Sequence, residues 1–215
     1  MAAQATHVAP QVAADFAPLR LFATTDDLHI ESSETWESLA QRIETVPTEA
    51  KVRGMFLSEV HRLVPRLVTS RPRYVPFTLY PVREYMQLLV RAARARHPSK
   101  PAASALLELA FGVYGLFASS LAGTAIMAAA GSDFLRVCKA GPKAYAVTLS
   151  PGEIRLGELS ANEATIRLRD VWVFPEIFHT GIWLGAMRAC KQRGSIEVTQ
   201  VSLCDVDYHM RWEKR

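Results

Sequence analysis

The stretch that decides the fold is Leu109–Gly131, LAFGVYGLFASSLAGTAIMAAAG, which runs for 23 residues without a charged side chain. Two structures suit such a run: a helix that crosses a membrane, or a helix or helix pair buried inside a soluble domain. Seven alanines, four glycines, two serines and one threonine make the run only modestly apolar, and such residues insert into bilayers weakly. We therefore predict a buried central helix that begins at Pro101 and ends near Gly131, with no membrane span.

Three small residues, Gly115, Ser119 and Gly123, recur four positions apart within this helix. Residues at that spacing lie on one helical face, where they let the backbone of a neighbouring element approach closely. We predict that close packing occurs along this face.

Upstream of the central stretch, apolar residues keep a helical spacing and prolines separate the segments. One such helix is predicted to begin at Pro81 and to end before Pro98. Residues 1–15 show little pattern, so we predict a disordered tail there. Residues 16–215 are predicted to form one domain, which is an ordinary length for a single core.

After Gly141-Pro142 the apolar residues begin to alternate, which is typical of strands rather than helices. The predicted C-terminal order is βββ-α-ββ, in which turn residues separate the strands and a helix follows Pro175. We predict an α+β fold in which the helical N-terminal half covers a small, five-stranded antiparallel sheet. The apolar alternation places the strands near residues 145–149, 154–156, 166–168, 196–198 and 206–212.

The composition indicates a globular protein, with 49% hydrophobic and 21% charged residues in a chain of 215. A net charge of +4 is lower than nucleic-acid-binding domains usually concentrate, so no specific nucleic-acid binding is expected. Cys138, Cys190 and Cys204 are an odd set without the CxxC spacing of metal sites. We expect free thiols, a cytoplasmic location and no metal site.

Several segments together resemble the DUF2378 paralogous family of myxobacteria over roughly residues 50–213. They are YPVREYMQLLVRAARARHP (80–98), LAGTAIMAAAG (121–131), KAYAVTLSPGEIRL (143–156), GIWLGAMRAC (181–190) and DYHMRW (207–212). The family resembles, distantly, the group that joins haem-NO-binding domains, vinyl-reductase-type domains and TRAPP subunits. The resemblance implies a helical cap over a small antiparallel sheet, with an apolar pocket between them. In that group the pocket holds haem, an acyl chain or an aromatic effector, and other members are dimerising assembly subunits.

The candidate pocket residues are large aromatic side chains on the two predicted central helices. They would serve equally well in a filled core. His179, on the helix after Pro175, is the candidate haem ligand, but the Tyr-x-Ser-x-Arg signature of the nitric-oxide sensors is absent. The pocket candidates are Phe111, Tyr114, Phe117, Phe178 and Trp183.

No group of residues in the sequence forms a recognisable catalytic constellation. Leu149–Gly152 is a turn rather than a nucleophile elbow, and Gly112 and Gly115 do not form a phosphate-binding loop. The chain is therefore not expected to be an enzyme, and no cofactor is expected apart from the haem alternative.

The leading hypothesis is a non-catalytic sensor or adaptor module in bacterial signalling or assembly. It would bind a small apolar ligand or a protein partner, and it would be a homodimer. The alternative is a purely structural, dimerising interaction domain whose core is filled. A haem-based gas sensor is the third hypothesis.

Overall fold

The computed structural model describes residues 19–67, 71, 73–119, 124, 128, 131 and 133–214. Among the described residues, helices predominate before residue 147 and strands predominate after it. The helices are α1 (Trp36–Thr45), α2 (Gly54–Leu63), α3 (Val82–Arg96), α4 (Ala102–Ser119), α5 (Phe134–Ala146) and α6 (Thr180–Ala189), with a π-helical turn at Pro175–His179. The strands are β1 (Leu19–Thr24), β2 (Lys51–Arg53), β3 (Leu79–Pro81), β4 (Leu149–Ser150), β5 (Glu153–Leu159), β6 (Glu163–Arg169), β7 (Gln192–Gln200) and β8 (Val206–Lys214).

The main sheet has five antiparallel strands in the order β1-β7-β8-β6-β5. Ile196, Met210 and Ala164 lie side by side on its buried face, which the helices cover. Strands β4, β5 and β6, helix α6, and strands β7 and β8 follow one another along the chain. The predicted α+β class, with its C-terminal order βββ-α-ββ, is therefore confirmed.

The first predicted C-terminal strand, near residues 145–149, is placed wrongly. Tyr145 lies in the last turn of α5, and the strand that follows, β4, has two residues and joins β2 and β3 in a separate sheet. The alternation of Tyr145, Val147 and Leu149 spans the end of a helix. Tyr145 continues the helical series of buried residues that starts at Phe134 and Cys138.

Close helix packing occurs in the centre of the fold, but glycines of α6 provide it rather than the predicted small face of α4. A Cβ atom at Gly185 would lie 2.8 Å from the Cβ atom of Tyr114 and 2.9 Å from the carbonyl oxygen of Phe111, both on α4. By contrast, Gly115 is exposed and has nothing within 4 Å of such an atom. Gly123 lies outside the described residues.

Helix α4 carries the first part of the central apolar stretch, and its Leu106, Leu109 and Ala110 are fully buried. Among the helices that the structure describes, none combines the length and the apolarity needed to cross a membrane. After Ser119 the stretch falls mostly outside the described residues. Gly131, near which the helix was predicted to end, is described and lies in a turn with a left-handed φ of 65°.

Candidate functional site

An apolar pocket of about 160 Å³ lies between the helical half of the molecule and the π-helical turn with α6. Its wall comes from α2, α3, α4 and α5 as well as from the turn, so elements distant in sequence meet there. Nearly all of the wall is apolar or aromatic. The lining side chains include Phe56, Tyr85, Val113, Tyr114, Val137, Tyr145, Ile154, Val173, Phe178, Ile182 and Trp183.

Three of the aromatic residues singled out in the sequence line this pocket, namely Tyr114, Phe178 and Trp183. Phe111 is not among the lining residues; the guanidinium of Arg188 lies 5.8 Å from its ring centre. The side chain of Phe117 lies outside the described part of the chain.

Tyr85 and Tyr145 are wall residues that the sequence reasoning missed. Tyr85 lies four positions before Leu89 on the buried face of α3, and this spacing marks it as buried but does not reveal a cavity. Its ring packs edge to face against Phe178, with centres 6.0 Å apart. Tyr145 was assigned to a strand, so its position on a helix facing the pocket was not foreseen.

The π-helical turn places two consecutive side chains, Phe178 and His179, in the same wall. In a regular helix neighbouring residues point about 100° apart, and insertion of a π turn changes that direction locally. Phe174, just before the turn, has the left-handed φ of 42° that non-glycine residues seldom adopt. On the sheet side, the hydroxyl of Tyr208 donates to the carbonyl oxygen of Pro175, which ties the start of the turn to β8.

A buried ion pair holds the turn from the other side. Arg42 of α1 contacts both carboxylate oxygens of Glu176, with Nη2 and Oε2 3.0 Å apart, and the Glu176 side chain is 1% exposed. The guanidinium carbon also lies 5.3 Å from the ring centre of Phe174. Burial by itself would lower the pKa of Arg42, but the charges of Glu176 and Glu34 raise it above its ordinary value. Arg42 therefore remains charged at neutral pH.

His179 is neutral at physiological pH, because burial lowers the pKa of its imidazole to about 4. Its Nδ1 lies 3.2 Å from the carbonyl oxygen of Val173. A carbonyl can only accept, so Nδ1 carries the proton and Nε2 keeps a lone pair. The imidazole thus presents one acceptor nitrogen that makes no hydrogen bond with any residue the structure describes.

Trp183 contributes its indole ring to the same wall. Its indole Nε1 is buried and has no acceptor among the described residues. The ring packs edge to face against Phe134, with centres 6.4 Å apart. Gly141 makes room for it, since a Cβ atom there would lie 2.9 Å from the indole ring.

Two other polar groups of the wall already have partners. The hydroxyl of Tyr145 donates to the carbonyl oxygen of Pro151 at 3.0 Å, and that of Thr148 donates to the carbonyl oxygen of Ala144 at 2.9 Å. The first bond joins the end of α5 to the residue that follows β4, and the second closes the last turn of α5. They leave the pocket surface near α5 without a free donor from either residue.

Residues 46–213 match a family model described as a protein of unknown function, DUF2378. The chain belongs to the DUF2378 family. The match begins at Val46, after β1 and α1, so in this DUF2378 protein those two elements lie outside the matched region. Among curated proteins, none matches the chain.

The fold of this DUF2378 protein is similar to that of solved H-NOX proteins. An alanine-to-glycine variant of the H-NOX protein from K. algicida, in the Fe(II) unliganded state, aligns with a TM-score of 0.56 at 14% identity, covering 76% of this chain and 97% of that one. The H-NOX protein from S. oneidensis in the Fe(II)NO ligation state gives a TM-score of 0.55 at 14% identity, covering 75% and 99%. At such low identity the likeness shows a shared fold and nothing finer.

Proposed function

We propose that this DUF2378 protein is a non-catalytic sensor or adaptor domain that binds a small apolar ligand in the pocket beside the π-helical turn. The observation that carries the proposal is the pocket itself. A cavity of about 160 Å³ with an aromatic wall matches the size of engineered apolar cavities of roughly 150 Å³ that bind benzene. Native cores contain few voids larger than a water molecule, so the pocket favours ligand binding over the alternative of a filled structural core.

The chemistry of the wall supports binding rather than catalysis. Burial lowers the pKa of His179, as described above, and raises the pKa values of Tyr85 and Tyr114 above their ordinary range. All three groups therefore hold a neutral form at pH 7. A general acid or base needs a pKa near the working pH, and these three are far from it.

Haem is a poor fit for this pocket. Pockets for drug-sized ligands occupy roughly 300–1,000 Å³, whereas this one measures about 160 Å³. Haem also carries two carboxylates, and among the described lining residues none is lysine or arginine. His179 alone suits an axial ligand. We expect the absorption spectrum of protein expressed with excess haem to lack a Soret band.

We also propose that the protein is a homodimer in the cytoplasm. An exposed apolar patch supports the dimer: Phe77, Leu79 and Val147 are each more than half exposed. They cluster around Arg53, which donates to the carbonyl oxygens of Phe77 and Val147 at 2.7 and 3.1 Å. Exposed apolar patches commonly mark protein contacts.

Free thiols support the cytoplasmic location. Cys138 and Cys190 are both unpaired and buried. Burial raises the pKa of Cys138 to about 12 and that of Cys190 to about 11, so both thiols are protonated at neutral pH. Cysteines without a disulfide are expected in a reducing compartment.

The deciding experiment is a binding titration of the full chain with toluene, followed by calorimetry or by thermal unfolding. Saturable binding at one site per chain is expected. Ala144 lines the pocket, so Ala144→Leu should fill part of it and weaken binding at least tenfold. The matched control is Ala95→Leu on the exposed face of α3, which should leave binding unchanged. Absence of toluene binding to the wild-type protein would refute the proposal.

A further inference from the structure

We propose that the outer edge of β1 is a docking site for an extended segment of a partner protein, which adds one more antiparallel strand to the main sheet. The segment carries an acidic residue opposite Arg20 and an apolar or aromatic residue opposite Phe22. The proposal goes beyond the proposed function, because it concerns the edge of the sheet and does not depend on ligand binding in the pocket.

The unused backbone groups of β1 follow from its register with β7. Strand β1 is the first in the order of the main sheet, and it pairs with β7 without a break. The amide of Thr25, just after β1, donates to the carbonyl oxygen of Gly194 at 3.0 Å. Hydrogen-bonded and non-hydrogen-bonded pairs alternate between antiparallel strands, so the amides and carbonyls of Arg20 and Phe22 point away from β7. Within the part of the chain that the structure describes, these groups have no hydrogen-bond partner.

The two edges of the main sheet differ in how well they resist pairing with another strand. At the opposite edge, the register of β5 with β6 shifts between Leu156 and Leu159, and α5 packs against β5. Bulges and covering elements commonly protect edge strands, as do proline and lysine. Strand β1 reads LRLFAT, keeps an unbroken register, and contains neither proline nor lysine. It therefore keeps an edge that can accept a further strand, and main-chain hydrogen bonds provide the affinity in such complexes.

The outward side chains of β1 define the chemistry of the partner segment. Phe22 is 60% exposed, and an aromatic or β-branched residue directly opposite it forms a favourable cross-strand pair. Arg20 is exposed and makes no ion pair with any described residue, and its neighbour on β7 is Thr199. A carboxylate on the added strand compensates this charge.

A second copy of the chain fits this edge less well than a different protein does. Strand β1 contains no acidic residue, so a second β1 has no carboxylate to place opposite Arg20. The homodimer proposed above also uses another surface, the apolar patch around Arg53. The charge of β1 therefore favours a partner with an acidic strand.

The probe is a synthetic peptide, acetyl-Lys-Thr-Val-Tyr-Val-Glu-Val-Lys-amide, titrated into the full chain by calorimetry. Paired antiparallel to β1, it places its tyrosine opposite Phe22 and its glutamate opposite Arg20. Saturable binding of one peptide per chain is expected. Absence of binding would overturn the inference.

N-methylated forms of the peptide test whether it binds as a strand. The amides of its tyrosine and glutamate point toward β1 in this register, whereas the amide of the valine between them points to solvent. Methylating the tyrosine and glutamate amides should weaken binding at least about tenfold, because two hydrogen bonds are lost. Methylating the valine amide should leave the affinity unchanged. Equal affinities of the two methylated peptides would contradict binding by strand addition.

A charge exchange tests the assignment of Arg20. Arg20→Glu should weaken binding of the peptide at least about threefold, and a peptide with lysine in place of its glutamate should bind this variant more tightly than it binds the wild-type chain. The matched control is Arg155→Glu, which makes the same change on exposed β5 at the opposite edge and should leave binding unchanged. Wild-type affinity in the Arg20 variant would contradict the assignment.

Two further results also decide the inference. If Arg20→Glu does not fold, the comparison of the methylated peptides on the wild-type chain is sufficient. If the peptide does not bind and Arg20→Glu lowers the native mass, a second copy occupies the edge and the inference is overturned.

Discussion

Replacing Gly185 with alanine should destabilise the protein, because this glycine sets the separation of α6 and α4. The added Cβ atom would lie 2.8 Å from the Cβ atom of Tyr114 and 2.9 Å from the carbonyl oxygen of Phe111. Favourable contacts between such atoms lie near 3.5–4.0 Å, so the two helices must separate by roughly 1 Å. Overpacking of this kind costs about 1–3 kcal/mol, even after the gain of up to about 1 kcal/mol from alanine's higher helix propensity.

Gly115→Ala is the matched control, since it makes the same change on α4 where nothing lies within 4 Å. It should be neutral or should stabilise by up to about 1 kcal/mol. Equilibrium unfolding in urea, monitored by circular dichroism, measures both variants. The Gly185 variant should unfold at clearly lower urea than the wild-type protein, with the Gly115 variant at or above it. Equal urea midpoints for the two variants would show that the close contact between α6 and α4 at Gly185 does not limit the stability of the protein.

Three further outcomes are expected. Arg42→Met should lower the unfolding free energy by about 3–5 kcal/mol, because it leaves the buried Glu176 carboxylate without its positively charged partner. A double variant that adds Glu176→Gln should recover much of this loss in the same urea assay. Because the pKa of His179 is lowered in the folded protein, the unfolded chain binds a proton at this histidine at a higher pH than the folded chain does. The contribution of His179 to the unfolding free energy is therefore fully present above about pH 6.5 and declines toward pH 4. Unfolding free energy should fall by about 2 kcal/mol more from pH 7.5 to pH 5 in the wild-type protein than in His179→Phe. Finally, Phe77→Ser should shift the native mass from dimer to monomer; a wild-type protein that is already monomeric would exclude the dimer.

The α+β class was predictable because the apolar spacing changes from helical to alternating along the chain. The exact residue at which the change occurs was not predictable. Apolar residues four positions apart, such as Tyr145 and Leu149, fit both a strand and the last turn of a helix. Phe178 and Trp183 stood out as large aromatic residues on one helix. The cavity next to them could not be predicted from the sequence, because an aromatic residue that faces a cavity has the same sequence pattern as one in a filled core.

The Arg42–Glu176 pair was beyond sequence reasoning for a different reason. The two residues are separated by 134 positions, and neither belongs to a motif. Strand β1 pairs with β7 and α1 packs against α3, and within this arrangement Arg42 reaches the turn. Contacts of this kind depend on the whole topology and not on any local pattern.

The segment before residue 46 has a practical consequence for how this family is studied. The family match starts at Val46, yet β1 completes one edge of the main sheet and Arg42 pairs with the carboxylate of Glu176. Glu176 belongs to the π-helical turn that supplies Phe178 and His179 to the pocket wall. A chain trimmed to the matched region would present the open edge of β7 to other molecules, an arrangement that favours aggregation. It would also retain Glu176 without its cation, next to Phe178 and His179. Ligand screens on such a fragment would test an altered pocket. Failure to find a ligand could then result from the truncation and would not apply to the full chain.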